Sequence, residues 1–239
     1  MLSLLGCFAA WHAAAQLGTL PLLPSPVVVL QSLWRHTVSG ELLAHLGITL
    51  LRVAASFVIA MGVGTALGIL MGRNRWIDAA LDGLLVLALN IPALVTAILC
   101  YIWFGLTEAA AVTAAALNKI PTVVVTVREG ARAVDRGLLD VATVFRVPRL
   151  RRFTRVYLPQ LYPYLMASAR SGLALIWKIV LVVELLGRSN GIGFQLGTFF
   201  QFFDITGILA YTLAFAAAVL VIEGFGLRPL ERRLTRWRA

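Results

Sequence analysis

Several polar and ionisable side chains stand inside long apolar runs of the sequence. They are Arg52, Asn90, Asn118, Lys119, Lys178 and Glu184. Such groups are costly at membrane depth and usually face a cavity. If the cationic ones line a pathway, they favour an anionic solute such as a sulfonate or nitrate. The alternative is structural: Lys178 could pair with Glu184, and Asn118 could hold neighbouring helices together by hydrogen bonds.

The sequence carries no constellation that is typical of an enzyme or metal site. Neither of the two lysines, Lys119 and Lys178, belongs to a Gly-Lys-Ser/Thr phosphate loop. The three histidines precede residue 46 and have no evident nucleophile beside them. Cys7 and Cys100 lie in apolar runs without metal-ligand or disulfide spacing. We therefore expect no catalytic residue, metal or cofactor in this chain.

The longest polar interruption runs over Asp140–Pro159 and carries five arginines and a single acid. Because Pro148 suits the first turn of a helix, we predict two short helices that meet near Arg146. The second is predicted to be amphipathic and to lie at a membrane surface. Its apolar face would consist of Leu150, Phe153 and Tyr157.

The first of these two helices is predicted to present an apolar surface outside the bilayer. That surface consists of Leu138, Leu139, Val141, Ala142 and Phe145. An apolar surface on a segment flanked by charge needs a groove on a partner protein. The alternative is a solvated basic loop between two membrane spans.

The spacing in this segment resembles the cytoplasmic signature of ABC-importer permeases, Glu-Ala-Ala-x3-Gly-x9-Ile-x-Leu-Pro. The positions in register are Asp140, Val141, Ala142, Arg146, Val156, Leu158 and Pro159. The resemblance implies that the loop contacts a separate ATPase. The implied contacts are Leu138, Leu139, Asp140, Val141, Ala142, Phe145 and Arg146, while Val156, Leu158 and Pro159 would connect the loop to the next span.

Four of these positions depart from the family pattern. Asp140 for Glu and Val156 for Ile are mild changes, and Val141 is bulkier than Ala. Arg146 is the serious departure because the family's glycine permits the bend between the two helices. Pro148 is the residue expected to set the bend in its place.

Composition limits the class of protein. Hydrophobic residues make up 60% of the 239 residues, charged residues 13%, and the mean hydropathy is +0.87. This leaves too little polar surface for a soluble globule, so we expect an integral membrane protein. The net charge of +10 does not indicate nucleic-acid binding, because the arginines cluster between apolar runs.

Hydropathy predicts an all-α protein with six transmembrane helices. The predicted spans are 2–20, 46–71, 84–104, 109–127, 164–186 and 208–227. The first is expected to be a retained span rather than a cleaved leader, since no lysine or arginine precedes Arg35. Glycines 62, 64, 68 and 72 predict a face for close helix packing, and Pro92 and Pro121 predict kinks.

Fifteen of the 21 lysines and arginines lie in the turn after the second span, in the loop after the fourth, or in the tail. With six spans these three segments share one side of the membrane. The positive-inside rule places them, and both termini, in the cytoplasm.

The segment LLPSPVVVLQSLW, the Glu-Leu-Leu-Gly run at 184–187 and the Gly-x-Gly at 191–193 also resemble the nitrate/sulfonate/taurine branch of ABC permeases. The resemblance implies a single permease domain, 1–239, of the type I importer fold, with a coupling loop at about 128–160. It further implies an ATPase dimer that carries ATP and Mg, a second permease copy, a periplasmic binding protein and a bacterial inner-membrane location. Two alternatives are an ion-coupled carrier without an ATPase, for which the sequence shows no convincing inverted repeat, and a membrane scaffold that transports nothing.

Overall fold

The computed structural model describes residues 2–16 and 23–227 of the chain, and this part is helical and contains no strand. The helices are α1 (Leu2–Gln16), α2 (Pro26–Val38), α3 (Glu41–Arg73), α4 (Arg75–Asn90), α5 (Ala93–Phe104), α6 (Glu108–Arg132), α7 (Arg136–Val144), α8 (Arg149–Arg152), α9 (Leu158–Gly187), α10 (Ile192–Gln201) and α11 (Ile205–Ile222). Two π-helical turns, Phe153–Tyr157 and Glu223–Leu227, follow α8 and α11. The predicted all-α class is confirmed.

Capping residues in the sequence decide where several helices begin. Asn74 accepts hydrogen bonds from the first backbone N–H groups of α4, and Thr107 does the same for α6. Pro26 opens α2 in the first-turn position that tolerates a residue without an N–H. Gly40 and Gly105 adopt positive φ angles of 79° and 68° between helices, which only glycine does without strain.

A helix lies at the position of each predicted span, but the first and third spans differ from the prediction. The first span was predicted over 2–20, of which residues 17–20 lie outside the described part; α1 ends at Gln16. The described helices that are long and apolar enough to cross a membrane are α3, α6 and Ile205–Gly226, and the α4–α5 pair meets the same test as one broken span. The fifth predicted span lies within α9.

The third predicted span is broken rather than kinked. Residues 84–104 were predicted as one helix with a bend at Pro92, but α4 and α5 meet at 99° around Ile91 and Pro92. Because Pro92 has no N–H and holds Ile91 in an extended conformation, with ψ at 123°, the helical hydrogen bonding stops there. Pro121, by contrast, lies inside α6 without ending it.

Two helices were not predicted. One is α2, whose thirteen residues lie between the first and second predicted spans. The other is α10, which begins at Ile192 between the fifth and sixth predicted spans, within the Gly-rich stretch 187–197. Gly191, directly before α10, has φ at 109°, a conformation that favours glycine. The turn is therefore confined to the residues before Ile192.

The described chain divides into two compact units. The first holds the residues up to Leu51 and Leu181–Ile222, and its core gathers Leu42, Ile192 and Tyr211. The rings of His36 and Phe199 pack edge-on against Tyr211, 5.3 and 5.0 Å between centroids. The second unit holds Arg52–Val180 and the segment that begins at Glu223.

A continuous seam between α3 and α6 organises the second unit. Arg52 donates two hydrogen bonds of 2.7 Å to Glu108 at the start of α6, and Ser56 donates one of 3.2 Å to the carbonyl of Val112. Further along, a Cβ at Gly68 would lie only 2.8 Å from the Cβ of Val127. The packing face predicted from glycines is therefore present at 64, 68 and 72, but Gly62 has open space around it.

The seam shows that α4 and α5 together cross the membrane once. Residues 52, 56, 64, 68 and 72 of α3 meet progressively later residues of α6, so the two helices run parallel over about 30 Å. The chain leaves α3 beside the end of α6 and must return to the start of α6. The α4–α5 pair covers that distance, so it is a broken span and not a re-entrant loop.

We expect Gly68→Ala and Gly62→Ala to have opposite effects on stability. The Cβ at position 68 would press on Val127 and lie 2.9 Å from the carbonyl oxygen of Val124, which costs about 1–3 kcal/mol when the helices cannot separate freely. The Cβ at position 62 meets nothing within 4 Å, so it gains up to about 1 kcal/mol of helix propensity. Thermal unfolding of the two purified variants in one detergent measures both shifts; equal shifts would refute the seam.

Candidate functional site

The segment that joins α6 to α9 begins with α7, whose ends are both fixed by hydrogen bonds. Asp135 caps α7 by accepting a hydrogen bond of 2.7 Å from the N–H of Gly137. The N–H of Asp135 in turn donates to the side-chain carbonyl of Gln160 on α9, at 2.9 Å. This bond ties the start of α7 directly to α9.

The bend after α7 lies at Arg146. The N–H of Val147 donates to the carbonyl of Ala142, and that of Arg146 to the carbonyl of Thr143, both at 2.9 Å. These two bonds form a Schellman motif, in which the residue at the Arg146 position is left-handed and usually glycine. Arg146 indeed has φ at 51°. The expectation that Pro148 sets the bend is wrong: Arg146 adopts the glycine conformation itself, and Pro148 only caps α8.

The apolar surface predicted on α7 divides between two sides of the helix. Leu138, Val141 and Phe145 are 50%, 53% and 78% exposed and share one side. Leu139 and Ala142 face inward, and Leu139 packs against a core that includes Tyr157 and Leu161. Asp140 and Arg146 are exposed. Val144, which the prediction did not include, is exposed as well.

The second half of the segment is not the amphipathic helix that was predicted. The rings of Phe153 and Tyr157 stack at 5.5 Å and turn inward, whereas Leu150 is exposed. Phe153–Tyr157 is a π-helical turn, which holds more residues per turn than an α-helix, so the seven-residue spacing no longer aligns Leu150 with Tyr157. The half-buried residues Val156, Leu158 and Pro159 lead from this turn into α9.

Among the described residues of the second unit, Lys119 is the buried cation that lacks a partner. It lies in the middle of α6 and is 2% exposed. No carboxylate or other acceptor among the described residues lies within hydrogen-bond or ion-pair distance of its ammonium group. Its stem lies against Gly172 of α9, where a Cβ would be 2.8 Å from Cε and 3.6 Å from Nζ of Lys119. Gly172 therefore leaves the space that the lysine occupies.

Comparison with known proteins decides the class of this protein. Residues 64–226 match the family described as the inner membrane component of binding-protein-dependent transport systems. This match covers more than half of the chain. The chain belongs to that family. It is the permease subunit of an ABC importer, an inner membrane component, and the interpretation as an independent ion-coupled carrier is set aside.

Individual relatives agree with this assignment. SsuC of Bacillus subtilis (strain 168), named as an aliphatic sulfonates transport permease protein, is 31% identical over 96% of this chain and 84% of its own length. The protein of the same name from Escherichia coli (strain K12) is 30% identical over 97% of this chain and 89% of its own length. The taurine transport system permease protein TauC of Escherichia coli (strain K12) is 28% identical over 90% and 80%.

A solved structure confirms the fold of the permease. The crystal structure of an amino acid ABC transporter with histidines matches with a TM-score of 0.67 and covers 84% of this chain and 97% of that chain. At 19% identity the likeness concerns the fold alone.

Two of the predicted pathway residues have partners in the permease. Arg52 is buried and holds Glu108 by the two hydrogen bonds of the seam. Glu184, in the first unit, is fully buried and accepts hydrogen bonds of 2.9 Å from the hydroxyl of Thr49 and from the N–H of Gly193. Both groups therefore hold the backbone and helices of their own units together.

The remaining predicted pathway residues are more accessible. Asn90 is exposed at the end of α4 and donates to the carbonyl of Val86 at 2.7 Å. Asn118 is half-buried beside Lys119, and Lys178 is exposed on α9. Of the whole set, Lys119 is the member whose charge is both buried and unpaired among the described residues.

Sequence reasoning missed an ion-pair network between α4 and the end of α6. Arg128 donates to Asp82 at 2.6 Å and to Asp78 at 3.3 Å, and Arg132 pairs with Asp78 and with Glu129. The signal was present, because both the two aspartates and the two arginines are spaced by four residues and so share a helix face. The network fixes the start of the broken span to α6.

We expect Arg146→Gly to stabilise the permease and Arg146→Ala not to. The left-handed conformation costs a non-glycine residue about 1–2 kcal/mol, and glycine removes that cost, although its freer unfolded chain offsets part of the gain. Alanine keeps the Cβ and removes the rest of the arginine side chain with its charge, so it separates backbone strain from the loss of that side chain. Thermal unfolding in detergent distinguishes the two variants. An equal rise in the unfolding temperature of both would attribute the effect to the loss of the side chain and its charge instead.

Proposed function

We propose that the permease imports a small anion, of the sulfonate, taurine or nitrate class, from the periplasm to the cytoplasm by alternating access driven by a separate ATPase. Lys119 is the observation that carries the choice of an anion. An isolated ammonium group buried among helices is costly unless a counter-charge reaches it. A solute with a single sulfonate group supplies that charge. The names of the three relatives support the same class of solute.

We infer that the ATPase docks on the exposed side of α7. Leu138, Val141 and Phe145 form an apolar side on a helix that stands among arginines and cannot enter the bilayer. Burying each of these side chains in a partner groove stabilises a complex by about 1.5–3 kcal/mol. ATP and Mg would bind to that partner, since the permease sequence carries no phosphate loop.

The distribution of arginines supports a cytoplasmic position for α7. The turn around Arg75, the segment 128–155 and the tail hold most of the positive charge, and the positive-inside rule puts them on the cytoplasmic side with both termini. A periplasmic binding protein would then deliver solute from the other side. Two permease copies and two ATPases would complete the transporter.

Contacts within the second unit offer a path from α7 to Lys119. Movement of α7 reaches α9 through Gln160 and through the packing of Leu139 on Leu161. Gly172 lies twelve residues further along α9, about 18 Å away, and borders Lys119. A shift of α9 driven by ATPase closure would change the space around the ammonium group. This is the step by which a bound anion would be released.

We expect the double variant Leu138→Ala, Phe145→Ala to lose the ATPase. Both side chains are exposed, so their truncation leaves the permease folded but removes apolar area from the proposed interface. Co-purification of the tagged permease with a co-expressed ABC ATPase measures the loss, which we expect to be at least tenfold. Trp76→Ala, which truncates an aromatic side chain that is also exposed but lies on α4, is the control. Equal retention by the double variant and the control would contradict the docking surface.

We expect Lys119→Met to reduce anion uptake at least tenfold and to leave the permease at least as stable. Methionine has a similar length without the buried charge, so it removes both the proposed solute contact and its desolvation cost. Uptake of labelled taurine into proteoliposomes that contain the ATPase and binding protein should fall at least tenfold, while the unfolding temperature stays constant or rises.

The matched control for this prediction is Lys178→Met, which removes the other lysine of the chain from an exposed position. Uptake should remain within about twofold of the native rate in this variant, since an exposed charge of this kind contributes little to binding. Native uptake by Lys119→Met, or an equal loss in both variants, would contradict the role of Lys119.

A further inference from the structure

A cavity of about 590 Å³ lies behind α7 in the second unit. Its walls come from the ends of α3 and α6, the inner side of α7 and the start of α8. The charged side chains that line it are Arg73, Arg132, Arg136, Asp140, Arg149 and Arg152. A cavity of this size accommodates a small organic ligand.

The charges around this cavity are not balanced by the protein. Arg132 is satisfied by Asp78 and Glu129 outside the cavity. Among the described residues no carboxylate lies within ion-pair distance of the four other arginines, and Asp140 is the single acid in the lining. Like charges that share a concave site repel one another unless a counter-charge enters.

Tyr157 provides an independent indication that something binds here. It lines the cavity and is 5% exposed, yet its hydroxyl has no hydrogen-bond partner among the described residues. Arg73 lies over its ring, 5.3 Å from the centroid. Burial raises the pKa of the Tyr157 hydroxyl, and the charge of Arg73 opposes this only in part, so the hydroxyl stays a donor at neutral pH. A buried donor without a partner is rare in proteins.

We propose that this cavity binds a multiply charged phosphate- or sulfonate-type anion on the cytoplasmic side of the permease. Guanidinium groups bind such anions through paired hydrogen bonds, and the Tyr157 hydroxyl adds a further donor. Either the headgroup of an anionic lipid or a free cytoplasmic anion carries this chemistry. The cytoplasmic location of this site rests on the proposed function, whereas the binding of an anion in the cavity does not.

The occupant would sit on the side of α7 opposite to the ATPase surface. Arg136, Asp140 and Thr143 line the cavity and share one side of the helix, while Leu138 and Phe145 share the other. The anion and the ATPase could therefore be bound at the same time. An anion held between α7 and the ends of α3 and α6 would brace the helix that the ATPase must move, and so regulate coupling.

Binding to the full-length permease, reconstituted in phosphatidylcholine nanodiscs without an ATPase, tests the proposal. Inorganic pyrophosphate is titrated by calorimetry in one arm, and phosphatidylglycerol is added to the discs in the other, with the unfolding temperature as readout. We expect pyrophosphate binding, or stabilisation by phosphatidylglycerol, that falls at least tenfold, or is lost, in Arg136→Gln, Arg149→Gln. The side chains of these two arginines make no hydrogen bond or ion pair among the described residues, so the substitutions remove no contact that holds the fold.

The control variant is Arg151→Gln, Arg155→Gln, which removes the same charge from the same segment but outside the cavity. Binding that survives in the control and is lost in the cavity variant supports the site, and the responding arm identifies lipid or free anion as the source. Tyr157→Phe keeps the ring stacked on Phe153 and should weaken binding about threefold or more. Equal losses in the cavity and control variants, or no response in either arm, would overturn the proposal. Because no transport is measured, these outcomes are independent of whether the permease imports sulfonates.

Discussion

The close approach of α3 and α6 is the constraint on which the second unit depends. Over about 12 Å the two helices approach so closely that one of them must lack side chains, and Gly64, Gly68 and Gly72 provide that. The seam places Arg52 against Glu108 at one end, and Gly72 against Ala131 at the other. Lys119 lies in α6 between these two ends, so the seam fixes its position along the helix axis. The parallel direction of the two helices also requires α4 and α5 to return along them.

The buried charges fall into two groups once the structure is known. Arg52 and Glu184 are held by partners within their own units, so their desolvation is offset by hydrogen bonds of 2.7 to 2.9 Å. Lys119 has no such compensation among the described residues. Selection for stability alone removes an uncompensated buried charge, since a methionine in its place would be cheaper. The proposed role, in which a passing anion supplies the counter-charge, accounts for a lysine at this position.

Sequence reasoning found the features whose cause is local and missed those whose cause is distant. The apolar runs, the glycine face and the segment around Asp140 could be read from spacing alone. The pairing of Arg52 with Glu108 joins residues 56 positions apart, which no local pattern reveals. Pro92 predicted an irregular helix, but the same proline is compatible with a slight kink and with a 99° break. Only the path of the chain between the ends of the seam distinguishes the two.

The bend at Arg146 shows how tertiary contacts override a local preference. α7 is held at its start by the bond from Asp135 to Gln160, and along its inner side by the packing of Leu139. The chain leaves α7 through a left-handed residue at position 146, and it accepts the strain of an arginine there. A glycine would relieve the strain but would open many other conformations at the same point. An arginine, whose Cβ excludes conformations that glycine can adopt, leaves the joint between α7 and α8 with fewer alternatives than the glycine of the family pattern would. In the proposed function α7 transmits movement from the ATPase, and a joint with fewer alternative conformations loses less of that movement.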